Sequence, residues 1–441
     1  MEGFREQEPD KSMEAKTIAI VGLNASGKTQ MVERMRRELH NDNVRYVAFC
    51  DTYGTATDRS YYLQQRWNQH DIDEETPFVA DALERSFLFS GSDTPTRRQN
   101  QQRLYQLLGM EELLEKYVIS LSSGELRKMQ LVKTLMANPE ILILDNPFIG
   151  LDTEARAMLS KLLKQLKKQG MMLYLLVARP CEIPDYTDEI IWTTNKQEFL
   201  HPSPLTNHII SYPSHPLPFS VPPSHEVIRM TDISICYGNR TILDRLSWTV
   251  CQGEHWALSG RNGSGKSTLL SLVCADNPQS YACDIALFGH QRGTGESIWE
   301  IKRHIGYVSP ELHRSYRRNL PAIHIVASGL KDTVGLYVRM NEEEHEQCMQ
   351  WMRTFGIDHL ADRSFLQLSS GEQRLVLVCR AFVKSPSLLI LDEPMHGLDM
   401  QRQQLIKNII NSYFTDPTRT LIMVSHYEEE LPSCIDHRLE L

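Results

Sequence analysis

GRNGSGKS at Gly260–Ser267 and GLNASGKT at Gly22–Thr29 are two copies of the pattern GxxxxGK[ST] in one chain. Each follows a short apolar stretch, His255 to Ser259 and Thr17 to Val21, and each opens into helix-forming sequence. That strand–loop–helix order gives the pattern its meaning. Glycines let backbone N–H groups converge on an anion at a helix N-terminus. The lysine then reaches the terminal phosphates, and the hydroxyl of Ser267 or Thr29 is placed for Mg2+. Further along each copy, ILIL and LLIL run into Asp145 and Asp392. A carboxylate at the C-terminal end of a buried strand is the usual magnesium partner of such a loop. The sequence therefore predicts a nucleoside-triphosphate site in each half.

The repetition extends beyond the loops. LSSGELRKMQL from Leu121 recurs as LSSGEQRLVLV from Leu368, and ILILDNPFIGLD, ending at Asp152, recurs as LLILDEPMHGLD, ending at Asp399, both at an offset of 247. Held without a gap, that offset places Phe78-Val79-Ala80 on Ile325-Val326-Ala327, Val177-Ala178-Arg179 on Val424-Ser425-His426, and Thr194 on Leu441. Lys28 and Lys266 stand only 238 apart, so nine extra residues are expected just downstream of the second loop. The chain reads as a tandem duplication, with domains over residues 1–195 and 226–441. Between them, residues 196–225 carry seven prolines from Pro202 to Pro223. Proline disfavours helix and interior strand, so this stretch reads as an extended linker, and its histidines as solvated rather than metal-binding.

Composition narrows the class. With 441 residues, 41% hydrophobic and 23% charged, the chain matches globular averages and is neither fibrous nor largely disordered. No apolar run approaches the roughly 18 residues of a membrane helix, and the polar start MEGFREQEPDK lacks signal-peptide features. Nine cysteines without a CxxC pair read as reduced thiols of a cytoplasmic protein. A net charge of −9 argues against nucleic acid as a partner.

These motifs make the chain resemble the ATP-binding cassette (ABC) ATPases, with LSSGE at Leu121 and Leu368 in the place of their signature. LFGHQRGTGESIWEIKRHIGYVSPELH (Leu287–His313) and QGEHW at Gln252 narrow the likeness to twin-cassette proteins named for molybdenum transport or photorepair (ModF/PhrA-type). The resemblance implies an α/β fold: two P-loop ABC nucleotide-binding domains in tandem, pairing head to tail within one chain. Each should carry a helical region before its signature, about Thr76 to Ser120 and Pro321 to Phe365. Each ATP would lie between one P-loop and the other half's signature. One site then takes Gly260, Asn262, Gly263, Ser264, Gly265, Lys266, Ser267 and Thr268 together with Ser122 and Gly124, with Tyr237 stacked on adenine. The other takes Gly22, Asn24, Ala25, Ser26, Gly27, Lys28 and Thr29 together with Ser369 and Gly371. Mg2+ is assigned to Ser267 and Asp392 in one site and to Thr29 and Asp145 in the other. The implied catalytic set is Glu393, His426 and Lys266.

The halves are unequal in sequence. Asn146, which cannot take a proton, stands opposite Glu393, and Arg179 stands opposite His426 at the 247 offset. Loss of a general base typically costs about 10²- to 10⁴-fold in rate. Only 27 residues precede Lys28, so the first half is expected to lack most of the N-terminal antiparallel β-subdomain, which the second carries from Val227 to about Val250. The sequence thus predicts one competent and one degenerate ATP site. Gln64 falls opposite Glu311, where the family usually has glutamine, a departure that bears on coupling to a partner. The resemblance also implies Mg2+-dependent ATP hydrolysis and a separate membrane permease as partner, the chain lying on the inner face of the membrane as its energy-coupling component. The alternative is a soluble ATPase acting on a nucleic-acid or ribosomal complex. The short, nearly uncharged linker counts against it.

Overall fold

The computed structural model describes residues 15–22, 26–38, 43–48, 77–118, 121, 123–148, 151, 153–193, 225–237, 240–261, 263–316, 319–334 and 339–441. The expected linker up to residue 224, Gln64, Asn24, Ala25, Ser122 and Asn262 lie outside them, as do the side chains of Thr29 and Glu311. In the first half, β1 (Thr17–Val21), β2 (Val44–Ala48), β3 (Ile141–Asp145), β4 (Met172–Val177) and β5 (Glu189–Trp192) form one sheet in the order β2-β3-β4-β1-β5. All its pairings are parallel. In the second half, β6 (Glu226–Tyr237) and β7 (Arg240–Cys251) precede β8 (His255–Ser259), and β9 (Asp284–Leu287) and β10 (His290–Gln291) follow it. Then come β11 (Ile305–Val308), β12 (Leu388–Asp392), β13 (Thr420–Val424) and β14 (His437–Glu440). A second parallel sheet runs β11-β12-β13-β8-β14, with the connectivity of the first. TIAIV and LLILD are buried at every position, as continuous apolar strands are when helices cover both faces of a parallel sheet.

The antiparallel sheet, ordered β10-β9-β6-β7, belongs to the second half. Among the described residues of the first half there is no counterpart. The helical regions also fall where expected. In the first half they are Val79–Phe89 and Pro95–Leu108, the latter capped by Thr94 and ended by Gly109 at φ 57°. In the second they are Ala322–Ala327 and Glu342–Thr354, the latter opened by a capping box of Asn341 and Glu344.

Strand register corrects the gap-free alignment of the halves in two places. Leu173 N–H donates to the Lys16 carbonyl and Leu421 N–H to the Glu254 carbonyl, so β4 and β13 are equivalent at 248, not 247. Asn146 N–H to Leu176 O (2.9 Å) and Glu393 N–H to Val424 O (3.0 Å) give the same answer. The helices Thr153–Lys168 and Met400–Tyr413 still begin at 247, so one extra residue sits in the turn before β13. Ala178, rather than Arg179, therefore occupies the position of His426. Arg179 matches Tyr427, and Thr193 matches Leu441, each of the latter two donating its N–H to the end of the P-loop strand. The slip was invisible in sequence because these strands are apolar throughout, and no inward–outward alternation marks the register.

The second correction lies in the helical region. The bridges Phe78–Tyr117 and Pro321–Ser364 keep Tyr117 and Ser364 at 247 but set Phe78 and Pro321 at 243. Phe78-Val79-Ala80 thus matches Pro321-Ala322-Ile323. The nine extra residues of the second half are divided, some before Pro321 and four beyond it. A helix repeats its apolar face every three to four residues, so a four-residue slip still lays apolar on apolar.

The core of the second half is tied together by Trp351, which is fully buried and has ring centroids 5.4 Å from Phe382 and 5.9 Å from Tyr413. It joins the helix Glu342–Thr354 to Ser370–Phe382 and Met400–Tyr413. Truncating a buried aromatic to alanine typically costs about 3–5 kcal/mol. Trp351→Ala is expected to lower the unfolding midpoint of the second half markedly, measured by thermal melts of the full chain; an unchanged melting curve would contradict this packing role.

Candidate active site

In the second half the chain leaves β8 at Ser259 and enters the helix Lys266–Val273 through Gly260, Gly263 and Gly265, at φ 141°, 82° and 103°. These are conformations that L side chains rarely adopt. A Cβ at Gly260 would stand 2.5 Å from the Leu441 carbonyl oxygen and 2.8 Å from Ser264 Oγ; one at Gly265 would stand 2.9 Å from the Leu243 side chain. The loop is therefore held bare of side chains by its neighbours. Lys266 Nζ donates to the carbonyls of Gly260 (2.7 Å) and Arg261 (2.8 Å), lying along the loop. Ser264 Oγ is buried with no hydrogen-bond partner among the described residues. An orphaned hydroxyl in a glycine loop at a helix N-terminus fits a phosphate.

Asp392 is buried at the end of β12. The next residue, Glu393, sits at φ 50°. His426 Nε2 lies 3.0 Å from its Oε1, and His396 Nδ1 lies 3.0 Å from its Oε2. Burial alone would raise this carboxyl, but the hydrogen bonds from His396 and His426 outweigh it and hold Glu393 well below the usual carboxylate range. An ionised carboxylate only accepts, so each histidine presents its proton to it. Tyr237, at the end of β6, accepts a 3.0 Å hydrogen bond from Asn277 Nδ2, which also donates to Ser271 of the P-loop helix. Ser369 caps the signature helix Ser370–Phe382 in a capping box with Glu372, leaving Gly371 in the first turn. Gly124 lies in the matching helix Ser123–Leu135.

The first half has the same backbone and different chemistry. Asn146 sits at φ 52°, as Glu393 sits at 50°. Its Nδ2 donates to Asp145 Oδ1 (2.8 Å), while the Tyr46 hydroxyl donates to Asp145 Oδ2 (2.8 Å). Both oxygens of the strand-end carboxylate are thus engaged by protein donors. Asn146 Oδ1 is buried without a partner among the described residues. Lys28 Nζ donates to the Gly22 carbonyl at 2.6 Å. Burial lowers its pKa, opposed by the charges of Asp145, Asp399 and Glu182. Ser26, the counterpart of Ser264, shares a 2.6 Å hydrogen bond with Thr193, whereas Leu441 at the matching place in the second half has no hydroxyl.

Between the halves, Arg179 Nε donates to Glu182 Oε1 (3.1 Å) and Nη1 to Glu430 Oε1 (2.8 Å). The guanidinium also lies 4.2 Å from the Tyr427 ring centroid. All three charged residues are buried. By strand register Glu182 matches Glu430 and Arg179 matches Tyr427. Equivalent residues that touch one another mark the pseudo-twofold axis of the duplication.

Three of these features escaped the sequence reading. His396 carried a signal, because its counterpart at 247 is Ile149 and so the histidine occurs only in the half with the glutamate. Asp399 ends a repeated motif, but its approach to Lys28 across the halves is a property of the assembled fold. Nothing in the sequence pointed to the bond from Tyr46 to Asp145.

Paired parallel-sheet domains, each with a glycine phosphate loop and a strand-end carboxylate, define a twin-cassette nucleotide-binding protein. The sequence pattern of the ABC transporter family matches residues 11–149 and 243–396, and the chain belongs to that family. It is 37% identical, over 96% of its own length and 90% of the relative's, to the ABC transporter ATP-binding protein ModF of Escherichia coli. An uncharacterized ABC transporter ATP-binding protein of Schizosaccharomyces pombe is 32% identical over 90% of the chain and 82% of its own length. Among solved structures, the archaeal ribosome recycling factor in complex with a ribosomal stalk protein aligns with a TM-score of 0.53 at 15% identity, covering 97% of this chain and 83% of that one. It shares the fold. Among the described residues no helix is long and apolar enough to cross a membrane.

Gly260→Ala is expected to weaken nucleotide binding at the second-half loop at least about tenfold, because the new methyl would push against the Leu441 carbonyl. Titration with a fluorescent ATP analogue checks this, and unchanged affinity would contradict the assignment of the loop.

Proposed function

We propose that the protein is a Mg2+-dependent ATPase with one hydrolytic site, on the second P-loop, acting as the cytoplasmic energy-coupling component of a membrane transport system. The single observation that carries the reading is Glu393, an ionised carboxylate held between two histidines beside Asp392. The first half offers Asn146 and Ala178 at the corresponding places.

In this reading the ATP phosphates rest on residues 260–268, with Lys266 supplying positive charge and Ser264 a hydroxyl. Tyr237 stacks on the base, and Ser122 and Gly124 of the first half close the site over the terminal phosphate. Ser267 and Asp392 would hold Mg2+, which would offset phosphate charge. Glu393 accepts a proton from a water whose oxygen forms a bond to the γ-phosphorus as the bond to the ADP oxygen breaks. His426, donating through Nε2, fixes the carboxylate and meets the terminal phosphate. His396 holds the second oxygen, so Glu393 has one orientation. The first site keeps the loop of Gly22–Thr29, Asp145 and, from the second half, Ser369 and Gly371. It binds ATP and hydrolyses it poorly, because an amide cannot take the proton. The units are residues 1–195 and 226–441, with 196–225 as linker.

The transport reading is supported by family membership and by the description of the relative from Escherichia coli as an ABC transporter ATP-binding protein. The net charge of −9 weighs against a nucleic-acid partner.

Glu393→Gln is expected to lower steady-state turnover at least about 100-fold while ATP binding is retained, and Asn146→Ala to change turnover less than about twofold. Phosphate release with parallel nucleotide-binding titrations checks both, and equal losses from the two variants would contradict the asymmetric reading. For the partner, the Glu393→Gln chain charged with ATP is expected to retain a multi-spanning membrane protein from native membranes. Retention of a ribosomal or nucleic-acid complex instead would overturn the transport assignment.

A further inference from the structure

His426 leaves β13 in a short turn, Ser425-His426-Tyr427, followed by a single 3-10 turn over Glu428–Glu430. The residues on either side of the histidine are both anchored. Ser425 Oγ donates to Glu430 Oε2 and accepts from the Tyr427 N–H at 3.1 Å. The other oxygen of the same carboxylate, Glu430 Oε1, accepts from Arg179 of the first half at 2.8 Å. The Tyr427 ring lies 4.2 Å from the guanidinium carbons of both Arg179 and Arg156, two cations that the first half supplies. A continuous path of contacts thus runs from Arg179 through Glu430 and Ser425 to the turn that carries His426, and from His426 to Glu393 at 3.0 Å.

We infer that Arg179 is a positioning residue for the hydrolytic centre of the opposite half: by holding Glu430 and Tyr427 it fixes the turn from which His426 reaches Glu393. The inference rests on the reading of Glu393 and His426 as that centre.

Two further observations favour this role over a phosphate contact in the first site. Strand register puts Ala178, not Arg179, at the position of His426. The Arg179 guanidinium is already committed, through Nε to Glu182 and through Nη1 to Glu430. The arrangement is also one-sided. Val177 replaces Ser425 and Ala178 replaces His426 in the first half, so Glu182 has no hydroxyl-anchored catalytic turn to hold. The first half supplies the grip and the second half receives it. A buried carboxylate such as Glu430 needs its cation, because an unpaired buried charge is strongly destabilising. Docking of the two halves at the pseudo-twofold axis therefore supplies the cation for the carboxylate that anchors this turn.

The test uses the full chain and compares Arg179→Gln, Arg179→Lys and the double variant Arg179→Gln/Glu430→Gln, which removes the Glu430 charge together with its cation. For each, kcat for ATP, equilibrium affinity for a fluorescent ATP analogue and the melting temperature are measured, with Glu393→Gln alongside. Arg179→Gln and the double variant are expected to lose about 10- to 100-fold in kcat, the scale of small misplacements of catalytic groups. Nucleotide affinity should stay within about twofold of the parent, and Arg179→Lys, which keeps a cation for Glu430, should recover much of the rate. Wild-type kcat in the folded double variant would overturn the inference. So would a parallel fall of kcat, affinity and melting temperature that lysine does not rescue, since that describes a general structural role. If Glu393→Gln itself leaves turnover intact, the reading of the site fails. If Glu393→Gln abolishes turnover and the arginine variants do not slow it, only the positioning role fails.

Discussion

The site depends on one backbone conformation. At the end of β12 the chain turns into the left-handed region at Glu393, φ 50°, and ties its N–H to Val424 on the neighbouring strand. The side chain is thereby lifted off the sheet edge into reach of His396 and His426. A non-glycine residue pays about 1–2 kcal/mol for that conformation, and asparagine tolerates it better than most. In the first half the same turn exists at φ 52°, occupied by Asn146. The duplication has kept the backbone and divided the chemistry: the half with glutamate carries the strain and two histidine partners, and the half with asparagine carries neither histidine.

In the first half the strand-end carboxylate is engaged by donors of its own domain. Asn146 and Tyr46 both donate to Asp145, so the first half satisfies its own aspartate. The phosphate loops differ in the same sense. Ser26 is bonded to Thr193, whereas Ser264 is a buried hydroxyl with no partner among the described residues. A buried polar atom left unsatisfied is costly unless something is to meet it. The first half nevertheless contributes to the second. Arg179, at the axis relating the halves, bridges the equivalent glutamates Glu182 and Glu430. Buried ion pairs are weak evidence for stability, and this one is better understood as fixing how the two halves meet.

Much of this was legible in the sequence because the constraints are local. The glycine loops, the strand-end aspartates and the 247-residue repeat of the signature each depend on a few adjacent residues, and the α/β fold followed from the family resemblance those motifs carry. What failed was register. A one-residue slip between β4 and β13 left every apolar residue opposite another, so Arg179 was set against His426 when the strand pairing matches it to Tyr427. A four-residue slip in the helical region was hidden by the helical period itself. The contact of His396 depends on the turn after β12, that of Asp399 on docking of the halves, and that of Tyr46 on the pairing of β2 with β3, a meeting of residues far apart in the chain.

The central claim is that two phosphate loops serve one hydrolytic centre. The most direct measurement loads the full chain with ATP at both sites, removes free nucleotide, adds Mg2+ and counts phosphate released and ATP remaining per chain. One phosphate per chain in a fast phase, with the second nucleotide recovered as ATP, is the predicted result. Two phosphates released in a single phase would contradict the account.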